Sequence, residues 1–127
     1  MAPTRVLVVE DEAVIRMIMV DALTDAGFDV DEAADSDEAD RLDEDGYKPL
    51  VTDVHMPGKL DSVQLAEQLH RNEPSIPILF VTARPDVLAR ERAAGMKSAT
   101  LPKPFSPDRM ISTVSHILRS EQGNPTA

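Results

Sequence analysis

The sequence predicts a doubly wound α/β domain, (βα)5, in which a parallel five-stranded sheet of order 2-1-3-4-5 carries helices on both faces. Three observations lead there. Five short apolar runs rich in β-branched residues alternate with five stretches of helical periodicity, and strands that alternate with helices pair in parallel because each right-handed crossover must lie over the sheet. A chain of 127 residues with 42% hydrophobic and 28% charged content is of a size and composition that builds one globular core. Aromatic residues make up only 3%, so that core must be filled by Val, Ile, Leu, Ala and Met.

Residues 5–9 form the first apolar run. The stretch 13–26 follows with polar Arg16, Asp21, Thr24 and Asp25 near helical spacing and a stop at Gly27. A weaker strand is expected over 28–33. Ser36 then offers a cap for an acidic first turn, Asp37 and Glu38, of a helix broken by Gly46. The third strand covers 49–54. After a loop with Pro57 and Gly58, the apolar set Val63, Ala66 and Leu69 marks a helix ending near Asn72. The fourth strand covers 77–81, and a short helix over 86–94 lies between Pro85 and Gly95. A fifth strand over 98–101 precedes the last helix. There Ser106 and Pro107 form a cap and first-turn pair, and Met110, Val114 and Ile117 repeat at helical spacing beside Ile111 and Leu118. The domain is expected over 4–120, with 121–127 a polar tail that has nothing to pack.

Charge and composition exclude several functions. With 13 Lys and Arg against 23 Asp and Glu, the formal charge of -10 opposes direct binding of nucleic acid or anionic lipid. The absence of cysteine removes disulfides, thiolate metal sites and a cysteine nucleophile. No apolar run approaches the roughly 20 residues of a membrane span, and no secretory leader opens the chain, so a soluble cytoplasmic protein is expected.

In sheets of this kind ligands bind beyond the carboxyl ends of the strands, at the switch in strand order, here between the first and third strands. The first strand ends in Glu10 and Asp11, the third in Asp53, the fourth in Thr82, and the fifth runs into Lys103. No loop follows the glycine-rich nucleotide patterns. Three carboxylates brought together repel one another, and a hard cation such as Mg²⁺, which takes oxygen ligands at roughly 2.0 to 2.1 Å, relieves that repulsion. An aspartate is ionised at neutral pH and attacks phosphorus without a general base. Phosphoryl transfer would then need positioning and charge neutralisation, with Mg²⁺ on one side of the transferring group and the Lys103 ammonium and Thr82 hydroxyl on the other.

Four ordered motifs carry a family resemblance: V-L-V-V-E-D-E at 6–12, T-D-V-H-M-P-G at 52–58, V-T-A at 81–83 and K-P-F at 103–105. Together they resemble the receiver domain of bacterial two-component response regulators, the CheY-like family with its flavodoxin-like fold, and no effector domain is expected beside it. The resemblance implies that Asp53 accepts a phosphoryl group from a histidine on a sensor kinase or phosphotransfer protein. It implies Mg²⁺ as cofactor, bound by Glu10, Asp11, Asp53 and the main-chain carbonyl of His55. Thr82 and Lys103 would contact the acyl phosphate, and the peptide bond before Pro104 is expected to be cis. Such a protein catalyses only its own phosphorylation and dephosphorylation, acts on a downstream protein, and is a monomer or weak homodimer.

Some positions depart from the family pattern. Thr100 stands where receivers usually place Tyr, Phe or His, Ser62 replaces a common glycine, and Arg84 with Pro85 stiffens the stretch after Thr82. His55 and Arg84 are placed to shield an acyl phosphate from water. Each motif alone also has a plainer reading: Glu10 to Glu12 as a helix N-terminus, Asp53 as a turn former, Lys103 as a solvated loop residue. Met17 and Met19, with Ile15 and Ile18, are either core or a face for a partner helix. Two other functions stay open, an interaction module that keeps the fold without switching, for which Thr100 is the motive, and an aspartate-nucleophile phosphatase of the haloacid dehalogenase kind. The latter expects D-x-D after the first strand, which is absent here.

Overall fold

A computed structural model of the chain describes residues 4–35, 37–39, 50–53, 67–68, 70–71, 76–82 and 98–123. Five parallel strands, β1 (Arg5–Val9), β2 (Asp29–Ala33), β3 (Leu50–Asp53), β4 (Ile78–Thr82) and β5 (Ser98–Pro102), form one sheet in the order β2-β1-β3-β4-β5. This is the order the sequence predicts, and each described strand lies within one residue of its expected ends. The predicted helix ending near Asn72 is described at residues 67–68 and 70–71, which are helical. The rest of it, the helix predicted over 86–94, the bulk of the helix broken by Gly46, and residues 55, 57, 58, 62, 84 and 85 lie outside the described residues.

β1 shows why a doubly wound sheet reads as an unbroken apolar run. Side chains alternate between faces, and Val6 and Val8 join Val51, Leu79, Val81 and Leu101 in a cluster with Met19 and Leu23 of α1 (Ala13–Asp25) and Met110, Val114 and Ile117 of the C-terminal helix (Pro107–Gly123). Leu7, Val9, Ile78 and Phe80 belong to the other parity and are equally buried. Both faces are therefore covered, and each buried aliphatic side chain contributes about 1.5 to 3 kcal/mol. The edge strand β2 is charged instead, with Asp29 and Glu32 exposed, which discourages pairing with another chain.

The helix ends have local causes. α1 closes at Gly27, whose φ of 101° suits glycine. Ser106 accepts a hydrogen bond from the Arg109 N–H at 3.1 Å, the expected cap of the C-terminal helix. That helix continues to Gly123, into the stretch expected as a polar tail. The cap of the second helix is corrected by one position. Asp35, not Ser36, accepts from the Glu38 N–H at 2.8 Å, and Glu38 Oε1 accepts in return from the Ala34 N–H at 2.7 Å. The two bonds resemble a capping box, with the Glu38 carboxylate taking the N–H one residue before the cap. Of the α1 methionines, Met19 is core, whereas Met17 is exposed with Val14 and Ile18.

Candidate functional site

Parallel pairing puts the carboxyl ends of all five strands at one edge, and the register fixes how they meet. β1 ends with Val9 opposite Thr52, so Glu10, the residue after β1, comes level with Asp53, the last residue of β3. Asp53 pairs with Val81, one residue before Thr82, and Thr82 pairs with Pro102, one residue before Lys103. The Lys103 N–H then donates to the Thr82 carbonyl at 2.8 Å, continuing the ladder past the strand end. The peptide bond between Lys103 and Pro104 is cis, as expected.

Glu10 has no accessible surface, and each of its four polar atoms is engaged. Its N–H donates to the Ala33 carbonyl at 3.0 Å and its carbonyl accepts from Arg16 Nη1 at 2.8 Å. Oε1 accepts from Lys103 Nζ at 3.3 Å and Oε2 from the Glu12 N–H at 3.1 Å. A carboxylate withdrawn from water needs such partners, because an isolated buried charge costs many kcal/mol. Lys103, only 17% exposed in its side chain, supplies the opposite charge. Thr82 is fully buried and Asp11 is exposed.

The structure thus brings together the main chain at Glu10, Asp53, Thr82 and Lys103, and the side chains of Glu10 and Lys103. The Asp53 side chain and all of His55 lie outside the described positions. Among the described residues no three acidic or histidine side chains form a metal-sized cluster. The expected donors Glu10, Asp11 and Asp53 nevertheless present only oxygens, the atoms Mg²⁺ takes, and an exposed Asp11 suits a cation that keeps several waters. Thr100 sits opposite Phe80 in the register.

Sequence reasoning counted Arg16 only as a polar residue of the first helix. In the structure its Nε donates to Glu32 Oε1 at 3.0 Å while Nη1 holds the Glu10 carbonyl. The available signal is a single cation, five residues after Asp11, on a strongly apolar helix.

A parallel 2-1-3-4-5 sheet whose carboxyl edge holds an acidic loop against a lysine defines the class, a receiver-like α/β domain. The chain belongs to the response regulator receiver domain family, whose profile matches residues 6–115. Phosphorylation on aspartate is the general mechanism of that family, which is generally Mg²⁺-dependent. Response regulator MprA of Mycolicibacterium vanbaalenii is 36% identical over 121 residues, covering 92% of this chain and 51% of that protein. The chain therefore spans about half the length of the curated relatives it matches. Among solved structures, a response regulator receiver protein from Sinorhizobium medicae superposes with a TM-score of 0.86 at 26% identity, over 94% of this chain and 98% of that one. The chemotaxis response regulator CheY4 of Vibrio cholerae does so with a TM-score of 0.81 at 28% identity, over 91% and 98%. Among the described residues no helix is long and apolar enough to cross a membrane.

Proposed function

We propose that this chain is a cytoplasmic phospho-receiver of a two-component relay, with Asp53 as acceptor and a histidine kinase or histidine phosphotransfer protein as donor. The observation that carries the reading is the buried Glu10 holding the Lys103 ammonium at the edge where β3 ends in Asp53. In the transfer, the phosphorus–nitrogen bond of a phosphohistidine breaks as a bond from an Asp53 carboxylate oxygen forms. The electron pair returns to the imidazole. Lys103 offsets charge on the phosphoryl oxygens and the Thr82 hydroxyl donates to one of them.

Asp11, Asp53 and the main-chain carbonyl of His55 would hold Mg²⁺ directly. Glu10, whose carboxylate oxygens accept from Lys103 Nζ and the Glu12 N–H, would complete that acidic donor set. When bound, Mg²⁺ neutralises charge as the phosphoryl group transfers. The chain's own catalysis ends with its phosphorylation and dephosphorylation, and its output is the altered surface offered to a downstream protein. Ile18, exposed on α1 with Val14 and Met17, lines a groove of about 450 Å³ together with Ile15, Lys103, Pro104 and Phe105. A donor helix laid there would present its histidine beside the acidic loop.

The deciding experiment is intact mass after incubation with Mg²⁺ and acetyl phosphate. One phosphoryl adduct on the wild type and none on Asp53→Asn is the expected result. An adduct that persists in the variant places the acceptor elsewhere.

A further inference from the structure

We propose that Arg16 is a positioning residue for the acidic loop, bridging the Glu10 main-chain carbonyl to Glu32 on β2 and thereby fixing the turn that presents Asp11. The inference rests on the reading of that loop as a Mg²⁺ ligand.

Three observations carry it. First, β1 pairing ends at Val9, so the Glu10 carbonyl lies beyond the sheet ladder, and its hydrogen bond comes from Arg16 Nη1 at 2.8 Å. The peptide unit from Glu10 to Asp11 is planar. Holding its oxygen therefore sets the orientation of the unit on which Asp11 begins. Second, the guanidinium is itself held: Nε donates to Glu32 Oε1 at 3.0 Å, and the Arg16 side chain is only 20% exposed. Arginine presents its donors in a rigid fork, so two bonds in different directions fix one plane, which a lysine cannot do. Third, Arg16 lies in the first turn of α1, where its own N–H donates to the Glu12 carbonyl at 2.9 Å. Residues 10–12 are thus gripped at Glu10 by the side chain and at Glu12 by the main chain of one residue. The Glu12 N–H to Glu10 Oε2 bond at 3.1 Å closes the same turn.

An exposed ion pair contributes little to stability by itself, and Glu32 is half exposed. The consequence belongs instead to the geometry of the loop and to its affinity for Mg²⁺.

The test uses the full chain as wild type, Arg16→Ala and Glu32→Ala, with metal-free amide hydrogen exchange at Glu12 and Mg²⁺ titration followed by NMR, both well below the melting temperature. In Arg16→Ala the Glu12 amide exchanges several-fold faster and the Mg²⁺ dissociation constant rises roughly tenfold, the scale typical of groups that orient metal ligands. Acetyl phosphate reactivity at saturating Mg²⁺ recovers, because the bound cation then organises the loop. Glu32→Ala, a change at a half-exposed side chain, moves both quantities in the same direction by a smaller factor, and it decides the matter alone if Arg16→Ala does not fold. Variants that match the wild type in Glu12 exchange and in Mg²⁺ affinity overturn the positioning role while leaving the receiver reading intact. A wild type that binds no Mg²⁺ overturns both.

Discussion

Lys103 and Glu10 form a pair whose members are unequal: the carboxylate has no contact with water and the ammonium keeps a little. Removing the cation from such a pair costs more than the pair is worth, because the acid stays behind. Lys103→Ala is expected to lower the metal-free stability by about 2 to 3 kcal/mol, and adding Glu10→Gln should restore part of it. Urea unfolding of the single and double variants measures this, and a single variant with the wild-type midpoint contradicts it. The sequence made Glu10 and Lys103 visible as candidates because both stand at strand ends. It did not reveal that they face each other, since a separation of 93 residues is closed only by the sheet. Arg16 stayed hidden for another reason. One of its two partners is a main-chain carbonyl, which no residue type advertises.

At the level of elements, periodicity located the strands and the first and last helices, and turn chemistry placed most of their ends. Gly27 is the clearest case, its positive φ matching the stop that ends α1. No atom lies within 4 Å of a Cβ built there, so Gly27→Ala would meet no clash and would cost only the left-handed backbone, about 1 kcal/mol. A lower urea midpoint with an unchanged slope is the expected outcome, and an unchanged midpoint would mean that the turn relaxes freely. Two boundaries were less legible. Asp35 and Ser36 are both good caps, and only the bond from the Glu38 N–H decides between them. The continuation of the last helix to Gly123 crosses residues with no apolar stripe. Extending an existing helix needs only one main-chain bond per residue, without the cost of a nucleus.

Across the whole molecule, a core covered on both faces carries a carboxyl edge where like charges collect, in a chain whose formal charge is already -10. A cation that binds the folded state alone stabilises it by mass action, and a tenfold excess over its dissociation constant contributes about 1.4 kcal/mol. Mg²⁺ should therefore raise the melting temperature by roughly 5 °C, and Asp11→Ala should abolish the rise. Identical thermal scans with and without millimolar Mg²⁺ would count against the carboxylate cluster. The fold was legible as a whole because alternation and parallel pairing leave few topologies. The site was legible as a set of positions rather than as a geometry, since strand ends can be read along the chain and side-chain partners cannot. The bond from the Lys103 N–H to the Thr82 carbonyl has a consequence for evolution. It indexes two functional residues to neighbouring strands rather than to the chain between them. Insertions or deletions between β4 and β5 can then reshape what a partner sees without resetting the spacing of hydroxyl and ammonium, so recognition is free to diversify while the chemistry stays in place.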